Sequence, residues 1–491
     1  MTISGPAAGL APALLAIMAA LGGAGDSEHF GAGYPFLLAV IFMVGVVQMV
    51  LAMLKLARAA SIIPVSVVEG MLASIGLMIM VKQVPMFFGF TGKVHAHEFF
   101  EYVSDAPQFV AGATPAVLAV SASSLVLLFV LGSLGSKVKR LAIVPPQLVA
   151  VLWGVALGQM LGLDRAAMIT LPSSVFHGFH TPDFSALLAR SDLWYAAGMG
   201  VITLTMIDGV ESLATAMAID RIDPYRRKSQ PNRLLFAMGF SNVASSLVGG
   251  LTIIPGGVKS KANIASGGRT LWANFTNAIC LILYLVVARD VINLIPKGAL
   301  AAVLIYTGYK MCEPLVWRHM AHIGREQLGI FAITIIATLC TDLLWGIGVG
   351  VLAKFMLNMV LYRYAVAAND PAGRAPPLLR SVADFFRSPV TRKELRGSEY
   401  HLFLDRPLVC FNSMRLTSAL DEVPQEAKAV VVHVGSEVGL VDHTSCENLM
   451  YVVEELSRNE RPVSVVGLEH MKPLSTYENG TKVSGTSLMP A

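Results

Sequence analysis

Apolar stretches long enough to cross a bilayer recur from the first residues of the chain to about Tyr364, and no other feature narrows the fold as much. Crossing ~30 Å of hydrocarbon takes about 18 or more consecutive apolar residues in a helix. Such segments read at 6–23, 34–57, 62–89, 114–131, 142–162, 193–219, 234–250, 271–288, 298–312, 327–343 and 344–364. Charged residues make up 14% of the 491 and hydrophobic ones 54%, whereas soluble domains are about a quarter charged. The bilayer is therefore the solvent for most of the chain, and the fold class is an α-helical polytopic membrane protein. One further piece, near Gly256 to Ser266, is bracketed by Gly249-Gly250 and Gly267-Gly268 and is too short and polar to span. It is predicted to be a half-helix between two spanning helices.

The net charge of +4 is spread over short loops. Without a basic stripe interleaved with aromatics, nucleic acid is excluded as a partner. Cys280, Cys312, Cys340, Cys410 and Cys446 show no CxxC spacing, so neither a metal site nor a disulfide framework is expected. Lys and Arg near helix ends stay on the cytoplasmic side. The basic loops (Lys55/Arg58, Lys137/Lys139/Arg140, Arg221 to Arg233, Lys310/Arg318/Arg325) alternate with acidic or mixed ones and leave the C-terminus in the cytoplasm.

Residues 1–366 thus read as a transmembrane domain. Asn369-Asp370-Pro371 and Pro376-Pro377 mark a linker over 367–394. Beyond it, Tyr400 to Phe411, Ala429 to Val434 and Pro462 to Gly467 read as strands and Glu447 to Arg458 as an amphipathic helix, which predicts a small α/β domain over 395–471. The remainder, 472–491, with Asn479-Gly480 and Ser484-Gly485, reads as a disordered tail.

Two segments are broken by glycine and proline: Ser4-Gly5-Pro6-Ala7-Ala8-Gly9, opening the first helix, and Pro255-Gly256-Gly257-Val258-Lys259-Ser260, opening the half-helix. Interrupted hydrophobic segments in corresponding positions of two halves point to a transporter's midplane site. A helix N-terminus carries free N–H groups and about half a positive charge, so two such ends facing each other can hold an anion. The alternative for each is a simple kink. Lys259 beside the second break strengthens the anion reading, because a mid-membrane lysine is costly unless it faces a cavity, finds a partner or snorkels to the interface.

Asp208, Glu211 and Thr215 fall at i, i+3 and i+7 on one face of an otherwise apolar helix. Two carboxylates there indicate a proton relay or a cation site, the alternative being structural pairing with Lys259 or Lys261. Glu69 and Lys82 are expected to pair between helices or at the lipid interface. His95/His97, His177/His180 and His319/His322 lie at or beyond helix ends and read as solvated rather than metal-binding. No nucleophile and base stand together, so the chain is not expected to be an enzyme.

Ile3-Ser4-Gly5-Pro6-Ala7-Ala8-Gly9-Leu10, Glu211-Ser212-Leu213, Pro231-Asn232-Arg233, Gly249-Gly250 and Asn263-Ile264-x-x-Gly267-Gly268 resemble the sulfate permease (SulP) family, over residues 1 to about 365. Val441-Asp442-His443-Thr444 resembles part of a short STAS domain. The resemblance implies fourteen membrane segments in two inverted repeats of seven, with the anion between the N-termini of the third and tenth. It places Ala7 and Ala8 at one half-site, beside Ser4 and Gly5, and Gly256, Gly257 and Val258 at the other, beside Lys259. In sodium-coupled bicarbonate members an acidic residue and a hydroxyl four residues later bind the cation, and Glu211 and Thr215 match them. Lys259 stands where many members have arginine, which keeps the charge and loses the bidentate fork. The chain is expected to open on the family's third segment, without the first two or the strand-like entry to the third. The implied function is secondary active transport of a small inorganic oxyanion, bicarbonate or sulfate, coupled to sodium or protons, with a bound sodium ion as the one candidate cofactor. A homodimer in a bacterial plasma membrane is expected, with a cytoplasmic partner on the STAS-like domain. The rivals are an uncoupled channel or exchanger, in which Glu211 is structural, and a membrane-anchored regulatory protein that moves no anion.

Overall fold

A computed structural model describes residues 2–6, 10–23, 31–57, 63–92, 94, 96, 98–137, 145–171, 180–225, 227, 229–265, 267–341, 343–370, 372–424, 426–458 and 462–484. It divides into two compact units, Met1–Ala57 with Leu72–Cys312, and Arg58–Met71 with Glu313–Ala491. Five helices among the described residues are long and apolar enough to cross a membrane, and two more are apolar but shorter.

The first unit opens on β1 (Ile3–Gly5), α1 (Ala11–Ala20), α2 (Tyr34–Met53) and most of α3 (Val65–Phe88). There follow α4 (Phe99–Ala111), α5 (Pro115–Lys137), α6 (Pro146–Met160), α7 (Phe184–Ala189), α8 (Trp194–Ile222) and α9 (Pro231–Leu247). It closes with β2 (Ile254–Gly256), α10 (Gly257–Ala265), α11 (Trp272–Val287), α12 (Arg289–Ile292) and α13 (Lys297–Met311). The expected half-helix is α10, nine residues held between α9 and α11. Helix α4 falls between the spanning segments read at 62–89 and 114–131, where the sequence has no long apolar run. Its start is fixed by a capping box in which Glu98 and Glu101 each accept from the other's backbone N–H.

Lipid offers no hydrophobic drive for helices to associate, so small residues that let backbones approach decide which pairs pack closely. Helix α2 lies along α8 and α9. A Cβ placed on Gly45 would fall 2.5 Å from the Gly239 carbonyl oxygen, and one on Gly239 would fall 2.5 Å from that of Gly45. Helices α3 and α13 repeat the arrangement at Gly76 and Gly308, again with 2.5 Å each way. Helices α5, α6 and α13 form a second group, around Leu128, Ala150, Ala302 and Tyr306.

The expectation that the strand-like entry to the first helix is absent is corrected. Ile3–Gly5 is a strand, paired antiparallel with β2 through Ile3 to Gly256, Ser4 to Pro255 and Gly5 to Ile254. Three residues rich in Gly and Ser carry no period-2 signal, so only the pairing reveals the strand.

The second unit holds α14 (Pro314–Ile323), α15 (Arg325–Cys340) and α16 (Leu343–Asn369), then α17 (Leu378–Phe386), β3 (Val390–Arg396), β4 (Glu399–Leu404), α18 (Ser413–Asp421), β5 (Ala429–Val434), β6 (Leu440–Val441), α19 (His443–Arg458), β7 (Val463–Val466), β8 (Met471–Pro473) and β9 (Lys482–Ser484). The stretch read as a linker therefore contains a helix and most of a strand. Strand β3 was invisible to pattern reading because Val-Thr-Arg-Lys-Glu-Leu-Arg is a charged edge strand with no apolar face. The sheet order is β3-β4-β5-β7, with β4, β5 and β7 parallel. Leu402, Leu404, Val430 and Val432 on its inner face pack against Leu416, Leu420 and Leu449 of α18 and α19. The supposed disordered tail is corrected up to Ser484: β9 pairs with both β6 and β8, and its Val483 is buried against Met359 and Tyr362 of α16. Residues 485–491 lie outside the described ones.

Candidate functional site

The β1–β2 pair brings the two broken segments side by side. Ile3 N–H donates to the Ser260 hydroxyl at 2.8 Å, and that hydroxyl donates to the Gly256 carbonyl at 2.7 Å. Ser4 N–H donates to Asn274 Oδ1 of α11 at 3.0 Å. These bonds fix the strand that leads into the first helix against the first turn of α10. Helix α10 starts directly at Gly257, so the N–H groups of Gly257, Val258 and Lys259 belong to a first turn without intrahelical acceptors. Ala7 and Ala8, the other expected half-site, lie outside the described residues.

Lys259 is exposed, and its side chain runs across the strand pair. A Cβ on Gly256 would stand 3.3 Å from Lys259 Cδ, and one on Gly5 3.0 Å from Lys259 Nζ. Both glycines leave room for the lysine stem to lie along the backbone, with its ammonium group beside Gly5. The arrangement joins a cation to a helix N-terminus, two features that each favour an anion.

The three residues singled out on α8 separate into two groups. Asp208 is fully buried and both oxygens of its carboxylate are hydrogen-bonded: Ser212 Oγ donates to Oδ1 at 3.0 Å, while Gln48 Nε2 and Asn242 Nδ2 donate to Oδ2 at 2.9 and 2.7 Å. Asn242 also donates to Gln48 Oε1 at 3.0 Å and accepts from Ile253 N–H at 2.8 Å, one residue before β2. The cluster ties α2, α8, α9 and the approach to β2 together. Glu211, one turn further on, has Oε2 buried without a hydrogen-bond partner among the described residues. Thr215 lies beside α10, since a Cβ on Gly257 would meet its Cγ2 at 3.6 Å. The structure thus brings Thr215 to the break at Gly257 and leaves Asp208 enclosed among neutral side chains of α2 and α9.

Gln48, Asn242, Ser260 and Asn274 were missed by sequence reading. Gln48 had a signal: it is the one amide side chain in the apolar helix Tyr34–Met53, and an isolated polar group at membrane depth needs a partner. Asn242 and Asn274 sit in less uniform helices and carried none. Of the histidines, His180 packs edge-on against Tyr34, and His319 and His322 flank Tyr477 in the second unit. His95, His97 and His177 lie outside the described residues. No group of three or more His, Cys, Asp or Glu among the described residues could hold a metal ion.

Comparison with known proteins places this geometry in a family. The chain is 23% identical over 435 residues to the bicarbonate transporter BicA of Picosynechococcus sp., covering 87% of this chain and 73% of that protein. It is also 23% identical over 451 residues to the putative sulfate transporter YvdB of Bacillus subtilis, covering 91% and 80%. Among solved structures, murine Solute Carrier 26 family member A9 in its inward-facing state has a similar fold, with a TM-score of 0.62 at 14% identity over 94% of this chain and 77% of that one. The model of the sulfate permease family matches residues 2–334, well over half of the sequence, and the chain is an integral membrane protein belonging to that family.

Proposed function

We propose that the chain is a secondary transporter of a small inorganic oxyanion, bicarbonate or sulfate, with Glu211 and Thr215 coupling the anion's movement to sodium or protons. The observation that carries this reading is the β1–β2 crossing, which sets the Lys259 ammonium beside Gly5 at the start of α10, with Thr215 alongside. The cation role of Glu211 is supported by its unpartnered buried oxygen: such a group in a low-dielectric setting calls for a proton, a cation or a donor. Asp208 acts in this reading as the group that positions α8 against α2 and α9 rather than as a cation ligand. The family and the relatives named above are transporters, and the chain's role is transport rather than catalysis. The loop charges support a cytoplasmic C-terminal domain, and the β3-β4-β5-β7 sheet packed on α18 and α19 supports a domain of STAS type.

Uptake of labelled bicarbonate and of labelled sulfate into proteoliposomes, with and without an inward sodium or proton gradient, tests the proposal. Gradient-dependent uptake of either anion, lost in Glu211→Gln, is expected. Flux indifferent to both gradients would make the chain an uncoupled channel or exchanger. Absence of flux for both anions would favour a regulatory membrane protein.

A further inference from the structure

We propose that α17 is an interfacial helix that seats the C-terminal domain on anionic phospholipid at the point where α16 leaves the bilayer. One side of α17 is committed to the protein: Ser381, Asp384 and Phe385 are buried, and the Phe385 ring lies 5.7 Å from those of both Phe355 and Tyr362 on α16. The Tyr362 hydroxyl donates to Asp384 Oδ2 at 3.4 Å. The other side is apolar and uncovered, with Leu379 84% exposed, Leu378 60% and Phe386 51%. Leu379 and Phe386 are seven residues apart, so they stand above one another on a single stripe. Three arginines flank that stripe. Arg374 precedes the helix, Arg380 follows Leu379 and Arg387 follows Phe386, and all three are exposed. Arg380 reaches Asp384 only at 4.0 Å, with its side chain 75% exposed.

The occupant follows from where α17 is held. Helix α16 is a candidate span over Trp345–Asn369. Phe355 and Tyr362 stand where α16 passes into the C-terminal domain: Asn358 between them donates to Asp442 at 2.9 Å, and Met359 and Tyr362 pack with Val409 and Leu440. A domain whose buried Asp442 meets α16 at that level lies outside the hydrocarbon, so a helix packed on those two rings is held at the bilayer surface, where leucine and phenylalanine enter the acyl boundary and arginines meet lipid phosphates. The same side chains in water would form an exposed apolar patch beside three exposed arginines.

Photo-crosslinking of the full-length chain in liposomes of phosphatidylcholine and phosphatidylglycerol tests this, with benzoylphenylalanine placed at Leu379. The same probe at Leu283 on the exposed apolar face of α11 serves as the lipid-facing reference, and at Leu395 on β3 as the water-facing one. Phospholipid adducts at 379 as abundant as at 283, with phosphatidylglycerol enriched over its bilayer fraction and no adduct at 395, are expected. The combined change Arg374→Gln, Arg380→Gln and Arg387→Gln should keep the adduct and reduce that enrichment at least about fivefold. A protein adduct to a second copy, or no lipid adduct at 379 while 283 labels, overturns the proposal. Enrichment that survives loss of the three arginines overturns its electrostatic half.

Discussion

Asp208 and Glu211 are three residues apart on α8, yet the helix treats them as two different regions. Asp208 accepts from three side chains, Gln48, Asn242 and Ser212, and the approach to β2 hangs on the same network through Asn242. Around Glu211 a buried oxygen has no partner among the described residues. Both carboxylates lie on an otherwise apolar helix and hold at least one oxygen away from water. What differs is whether the protein supplies the compensation. A satisfied buried acid is a fixture of the architecture, whereas an unsatisfied one is free to take up something from outside.

The largest effect should come from breaking the unsatisfied end. Glu211→Gln should lower gradient-driven uptake by more than about tenfold, a loss of more than ~1.4 kcal/mol in driving interaction, while thermal unfolding in detergent stays within ~0.5 kcal/mol of the parent, as a change that removes no made contact should. Equal losses of uptake and stability would erase the distinction drawn here. Next comes Asp208→Leu, which strands the donors of Gln48 and Asn242. A destabilisation of about 1–3 kcal/mol per unsatisfied group is expected in thermal unfolding, and Gln48→Leu added to it should recover part of that loss. If the double change is simply additive, the network is not a unit. Thr215→Val, which keeps shape and removes one hydroxyl, should weaken the apparent affinity for the coupling cation severalfold with little effect on the maximal rate.

A third buried acid sharpens the contrast at the lower end of the scale. Asp442 in the C-terminal domain is fully buried, and burial alone would raise its pKa. The nearby positive charge of Lys354 and the N–H groups of Cys410 and Ser445 outweigh that and hold it below the usual carboxylate range. Asn358 Nδ2 donates to it as well, at 2.9 Å. A carboxyl with a depressed folded-state pKa contributes stability that is fully present above its unfolded value near ~3.9 and is lost as pH falls towards the folded one. Amide exchange at the start of α19, followed from pH 6 down to pH 3, should therefore quicken beyond the intrinsic rate change, and Asp442→Asn should remove the extra acceleration. An acceleration that persists in Asp442→Asn assigns the acid sensitivity elsewhere.

Sequence reading reached the elements whose signal is local. The spanning segments follow from run length, α10 from flanking glycines around a short polar piece, and the parallel strands β5 and β7 from apolar runs bounded by turns. Glu211 and Thr215 were legible because carboxylates and hydroxyls are conspicuous on an apolar helix. Strand β1 was not, because pairing across 251 positions, Ser4 to Pro255, leaves no mark on a three-residue stretch. Nor could spacing alone separate Asp208 from Glu211. That division depends on Gln48 and Asn242, which reach the helix from other parts of the chain. Strand β9 was hidden behind Gly, Ser and Thr that usually mark disorder, and only its pairing with β6 and β8 gives it order.

The reciprocal approach of Gly45 to Gly239, and of Gly76 to Gly308, also predicts how substitutions will be tolerated across the chain. Each of these four positions would bring a Cβ to 2.5 Å from a carbonyl oxygen of the opposite helix, so even alanine must push two backbones apart. In a saturation scan scored for surviving transport, they should form two matched pairs of near-total intolerance. Gly135, Gly198 and Gly348, where an added Cβ would meet nothing within 4 Å beyond the local backbone, should accept most small residues. Such a scan would read out helix contacts from phenotype alone, and a glycine pair failing together would mark two segments as neighbours before any coordinate was consulted.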